Sequence, residues 1–178
     1  MQTHNFYISR AVELAKKGVE SGIGGPFGAV VVKDGKIVGE GCNMVTSQND
    51  PTAHAEVVAI RNACKLLGTF QLKGCIIYAS CEPCPMCLGA IYWARPEQLI
   101  YACTKEDARS IGFDDAFIYE EIETDTTNRK IKTIQTGREI ALEVFELWQN
   151  KQDKIDYWAI MRILIYIFRI LWMNFIIL

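Results

Sequence analysis

Only two histidines occur in 178 residues, and the formal charge of -2, from 19 basic and 21 acidic side chains, leaves no basic surplus. Without a basic stripe, nucleic acid is not an expected partner, because phosphate neutralisation dominates that kind of affinity. The sequence has no internal repeat and no low-complexity linker. Its opening residues, MQTHNFYISRAVELAKK, lack the unbroken apolar core of a secretory leader, so the expected location is the cytoplasm, where thiols stay reduced. Seven cysteines, an odd number, fit a disulfide framework poorly. What the chain does have is apolar content of 50%, which at this length supports one domain with a substantial core.

Phe6, Val12, Leu14, Ala15 and Val19 fall roughly on one helical face before SGIGGP breaks the pattern, so Asn5 to Ser21 is expected to form an amphipathic helix. FGAVVVKDGKIVGEGCN holds two apolar runs around Asp34-Gly35, a hairpin signature. NDPTAHAEVVAIRNACKLLG offers Asp50 or Thr52 as N-cap, helical periodicity through Leu67, and Gly68 as the stop. CIIYAS and QLIYACT read as buried strands on either side of a helix that opens in a cysteine-rich stretch and runs to Ala94. Alternation of strand, helix and strand argues for a layered α/β domain with parallel strands in its later half. GFDDAFIYEEI reads as a loop entering a short helix, and Arg138 to Gln152 as a further amphipathic helix.

The stretch SCEPCPMCLGAIYWARP, Ser80 to Pro96, concentrates the chemistry. Cys84 and Cys87 are three apart at a helix opening, so both sulfurs face one side and can share a metal, and the positive helix end favours their thiolates. His54, opening the preceding helix, would be a third ligand; three protein ligands leave zinc one position for water, as in a catalytic site. In mid-helix, Glu56 would point about 200° away from His54. In the first turn both side chains reach past the helix end, and Glu56 can take a proton from that water. Competing metal readings fail on spacing. Cys81, Cys84 and Cys87 match the first three ligands of a ferredoxin run, but Ile91 stands where the fourth belongs. A redox pair does not require His54 and Glu56, and a four-cysteine ribbon needs a second close pair. Cys42, Cys64, Cys75 and Cys103 are expected to be buried, inert thiols, Cys81 a structural residue ending its strand, and His4 a surface residue in a frayed terminus.

HAE and PCPMC, with 30 residues from His54 to Cys84, together form the H-x-E and P-C-x-x-C signature of zinc deaminases. The sequence resembles the cytidine-deaminase-like superfamily, and within it the bacterial guanine deaminases, through GGPFGAVVVKDG, NDPTAHAEV, SCEPCPMCLGAIYWARP and GFDDAFIYEEI. The likeness runs from about Phe6 to Tyr157. It implies a three-layer αβα sandwich around a five-stranded mixed sheet, one Zn2+ per subunit on His54, Cys84 and Cys87, and Glu56 as proton shuttle. It also implies a purine pocket with Asn43 and the backbone of Ala55 on the ring edge, Phe27 and Trp93 packing on the ring, and Asp115, both binding and catalytic, at the exocyclic amine. The enzyme is expected to be a homodimer that exchanges its C-terminal segments, residues 138–157, so that Tyr157 enters the neighbouring pocket. The implied reaction is hydrolysis of guanine to xanthine and ammonia.

Taken by themselves, Asn43 suits a turn, Phe27 and Trp93 suit a core, and either Asp114 or Asp115 suits a cap for the helix that AFIYEEI begins. Glu82 reads equally as an orienter of the cysteine segment or as half of a surface salt bridge. A tRNA adenosine deaminase shares DPTAHAE and a similar cysteine motif, but a net acidic domain is ill suited to a polyanion. Guanosine and cytosine are alternative substrates for the same chemistry. A purely structural zinc protein is the non-enzymatic alternative, disfavoured by the missing fourth ligand and by Glu56.

Residues 158–178, WAIMRILIYIFRILWMNFIIL, contain 18 apolar residues of 21 and lie beyond the end of the resemblance. They contribute only Arg162 and Arg169 to the charge, leaving residues 1–157 with 17 basic against 21 acidic side chains. Three readings stay open for this tail: a membrane anchor burdened by Arg169, an interface helix, or translation past an original stop.

Overall fold

Asp34 and Gly35 both adopt positive φ, 49° and 74°, the backbone of a two-residue turn whose twist matches that of paired strands. In the computed structural model, which describes residues 2–155, this turn joins β1 (Gly28–Lys33) to β2 (Lys36–Cys42) as an antiparallel hairpin. Tyr157 and the apolar tail lie outside the described residues. The chain divides into two compact units, one of residues 1–130 and one beginning at Ile131.

In the first unit, β3 (Cys75–Cys81) pairs antiparallel with β1, and β4 (Gln98–Cys103) pairs parallel with β3, giving the order β2-β1-β3-β4. The sheet is mixed, as expected, but has four strands among the described residues and not the five implied by family resemblance. These four are the strands whose apolar runs are visible in the sequence. After β4 the chain turns into α5 (Lys105–Ser110), where Thr104 and Asp107 close a capping box, and then α6 (Ala116–Glu123). Residues 124–137 offer only Ile131 and Ile134 as large apolar side chains, both exposed, too little to anchor another strand.

Alternation along β1 and β3 sorts the layers. Val30, Val32 and Tyr78 pack with Tyr7 of α1 (His4–Glu20) on one face. Ala29, Val31, Cys75 and Ile77 pack on the other with α3 (Ala55–Leu67) and α4 (Pro85–Ala94), so the unit is an αβα sandwich. The buried stripe of α1 is Tyr7, Ala11, Ala15 and Gly18, whereas Phe6, Val12 and Val19 of the expected face are exposed. Small residues win because the helix lies almost on the sheet backbone: a Cβ on Gly28 would collide with the carbonyl of Ala11. His4 is likewise not frayed, since it starts α1 and its Nδ1 sits 2.9 Å from the Tyr78 hydroxyl.

The hairpin approaches α3 in the same manner. A Cβ on Gly41 would strike the Ala55 carbonyl and one on Gly39 the Ala59 carbonyl, which sets the start of α3 against β2. A single turn, α2 (Val45–Gln48), leads toward it. In the second unit, α7 (Arg138–Asn150) is the amphipathic helix expected there and has no buried residue. Among the described residues no helix is long and apolar enough to cross a membrane.

Candidate active site

Two helix starts make the metal site. His54 is the N-cap of α3 and Cys84 the N-cap of α4, both with extended backbone, at ψ 155° and 167°. Neither Asp50 nor Thr52 caps α3. Asp50 instead accepts the Thr52 N–H at 2.8 Å in a local turn that delivers His54 to the helix start. Pro85 occupies the first position of α4, where no backbone donor is lost, and Cys87 follows in the same turn. The ligand atoms of His54, Cys84 and Cys87 all lie within 4.8 Å of one another, and His54 Nδ1 is 3.6 Å from Cys84 Sγ. Tetrahedral zinc with these ligands places donor atoms about 3.5–3.8 Å apart, so the donor set and its spacing fit that ion.

The protons in the site are distributed by contact and burial. Cys84 is pushed down to about 4, chiefly by the hydrogen bond from the Cys87 thiol and then by His54, against the opposing effect of burial. Cys87 is correspondingly raised by giving that hydrogen bond. His54 is raised by its bond to Cys84. Glu56 is only 7% exposed, and burial raises its carboxyl above the ordinary range, while its Oε2 lies 3.4 Å from Cys87 Sγ. A carboxyl raised by burial beside three metal-ligating side chains can both take and return a proton.

A cavity of about 300 Å³ opens in front of these groups. Its wall includes His54, Glu56 and Cys84 together with Phe27, Phe113, Asp114 and Asp115. Asp114 accepts the Ala116 N–H at 3.0 Å at the start of α6, and the Asp115 side chain makes no capping bond. That divides the two candidate caps. The Asp115 carboxyl is raised by partial burial and then by the nearby Cys84 charge.

Asn43 is buried beside the cavity, not on its wall; its Oδ1 accepts the N–H groups of Gly25 and Val45 at 3.3 and 3.2 Å. Ala55 is fully buried as the first residue of α3. Trp93 is 55% exposed on α4 and outside the cavity wall. Glu82 accepts the backbone N–H of Lys105 at 3.1 Å, tying the cysteine segment to α5. Cys103 is exposed, contrary to expectation, and lies in register with Cys81. Lys105, Gly112 and Phe113 also line the cavity, and no sequence pattern marks them, although Gly112 and Phe113 belong to GFDDAFIYEEI; a loop aromatic has no periodicity to reveal its direction.

Residues 1–103 match the family described as the cytidine and deoxycytidylate deaminase zinc-binding region. Over 154 residues the chain is 57% identical to guanine deaminase of Bacillus subtilis, covering 86% of this chain and 99% of the relative. The chain belongs to the guanine deaminase family. An X-ray structure of that Bacillus subtilis enzyme superposes with a TM-score of 0.86 at 56% identity, covering 88% of this chain and 99% of the other. A tRNA-specific adenosine deaminase of Aquifex aeolicus is 32% identical over 149 residues, 82% of this chain and 95% of its own. The guanine deaminase likeness is thus both nearer and as complete, and the chain has the cytidine-deaminase-like α/β fold.

Proposed function

We propose that the chain catalyses the hydrolytic deamination of guanine, in which water and guanine give xanthine and ammonia. The observation that carries this reading is the buried Glu56 carboxyl beside His54, Cys84 and Cys87, in the wall of a cavity also lined by Phe27, Phe113 and Asp115. His54, Cys84 and Cys87 would hold one zinc ion per subunit, which when bound would lower the pKa of a water to about 7. Glu56 receives the proton as oxygen bonds to C2 of the purine, returns it to the ring nitrogen, and assists protonation of the amine as the C2–N bond breaks. Asp115 accepts from the exocyclic amine edge, Phe27 packs on the ring, and the first N–H groups of α3 at Ala55 face the polar edge. The Asn43 Oδ1 is occupied by backbone donors, so its Nδ2 is the atom left for a purine acceptor.

The reading extends to the assembly. Residues 1–157 form the deaminase, residues 138–157 exchange between the subunits of a homodimer, and Tyr157 and Trp93 complete the purine enclosure there. The exposed apolar stripe of α7 supports this, because such a helix gains its stability from being covered. The cytoplasm, where guanine is available and thiols stay reduced, is the location that fits. Net acidity and the greater distance of the tRNA-specific relative weigh against a tRNA substrate.

Chromatography of reactions with guanine, guanosine, cytosine and adenosine-bearing tRNA tests the proposal directly. Guanine should be converted to xanthine, and Glu56→Ala should be slower by roughly 10²- to 10⁴-fold with its zinc retained. Absence of xanthine, or an equally active Glu56→Ala variant, refutes it.

A further inference from the structure

The geometry points to Phe113 as a specificity-determining residue: its ring braces Phe27 in the cavity wall, favouring a free purine base over a nucleoside. This rests on the guanine reading of the same site. The two rings meet edge to face, with centroids 4.9 Å apart and planes at 89°, the arrangement that aromatic quadrupoles prefer.

Phe113 is aimed by its backbone. Gly112, at φ 92°, reverses the chain after α5, and the Phe113 N–H then returns to the Ala108 carbonyl at 3.0 Å. On its other side Asp114 is held by Arg109 at 3.2 Å and by its bond to Ala116. Phe27 is fixed just as firmly, since its carbonyl accepts the Asn43 N–H at 2.9 Å. The two aromatic side chains therefore come from separately anchored segments and meet only across the cavity wall.

Gly25 is what lets them meet. A Cβ there would lie 3.3 Å from Phe113 Cζ, tight enough to shift that ring by a few tenths of an ångström, and 3.5 Å from Phe27 Cδ2, an ordinary contact. Phe113 nevertheless remains 44% exposed, so part of a well-anchored aromatic surface on the wall is left uncovered. A flat bicyclic base in the cavity would cover that surface. A nucleoside would add the bulk of a ribose to a cavity whose wall includes that ring.

Steady-state kinetics on guanine and guanosine, with zinc content and thermal unfolding measured for each variant, test the assignment. Phe113→Ala should raise KM for guanine about five- to tenfold, change kcat by less than about threefold, and erode the guanine preference over guanosine by about tenfold. Phe113→Tyr, which keeps the ring edge, should restore KM to within about twofold, and Gly25→Ala, which shifts the ring while leaving phenylalanine at 113, should raise KM by about two- to threefold. Unchanged KM and unchanged base preference in Phe113→Ala overturn the inference while leaving guanine deamination intact. Parallel loss of kcat, zinc and stability in both the Ala and Tyr variants also overturns it, by showing a purely structural ring. No xanthine from the unmodified protein refutes the underlying function, and this inference with it.

Discussion

Asp114 and Asp115 are adjacent and chemically identical, yet their surroundings assign them different tasks. Both line the cavity, but Asp114 accepts from the first N–H of α6 and pairs with Arg109, whereas Asp115 makes no cap bond and is raised by burial and by the nearby Cys84 charge. Removing a cap oxygen costs about 1 kcal/mol, so Asp114→Ala should lower the melting temperature by about 2–4 °C and shift KM for guanine by less than about threefold. Asp115→Asn should leave melting almost unchanged and lower kcat/KM by about 10²-fold, the scale of a lost hydrogen bond to a charged group. Thermal unfolding and initial rates on the two variants check both halves. Loss of turnover in Asp114→Ala alone would exchange the roles. Glu82 shows the same logic, because its oxygen is committed to a backbone donor of α5 and not to a surface cation.

At the level of elements, the site depends on how closely β2 lies against α3. Gly41→Ala would place a Cβ against the Ala55 carbonyl, 2.7 Å from Ala59 N and 2.9 Å from Val58 Cβ, all in a region where the backbone cannot yield cheaply. The expected cost is about 3 kcal/mol or more, or roughly 6–12 °C in melting temperature. Because His54 immediately precedes Ala55, zinc content should fall as well; a variant with full zinc and unchanged melting would show that the contact relaxes freely. Such close approach also explains what could and could not be read from the sequence. The hairpin at Asp34-Gly35, the four apolar strands and the ligand spacing of His54, Cys84 and Cys87 are written in local pattern and chemistry. The buried Ala11, Ala15 and Gly18 stripe is not, because hydrophobicity gives small residues little weight and proximity to the sheet decides which face is inside. Phe113 escaped for a different reason: its direction is set by a glycine turn and by hydrogen bonds within a loop. The fifth strand was expected through resemblance alone, and no apolar run in residues 124–137 supports it.

For the whole molecule, the decisive surface is the apolar stripe of α7. Ile140, Val144 and Leu147 recur at helical spacing and are 72%, 61% and 71% exposed, so the helix presents a hydrophobic face not buried among the described residues. Segment exchange in a homodimer would cover that face and deliver Tyr157, just beyond the described residues, to the neighbouring site. If so, assembly and activity must fail together. In light scattering the unmodified protein should have about twice the 20.2 kDa chain mass. Val144→Asp combined with Leu147→Asp should shift it to a single chain, because burying two unpaired carboxylates costs several kcal/mol. The same variant should lose about tenfold or more in kcat/KM for guanine while keeping its zinc, since His54, Cys84 and Cys87 all belong to the first unit. A double variant that stays dimeric and active would place the subunit contact elsewhere. A monomer with full activity would show that Tyr157 of a second copy is not needed for the reaction.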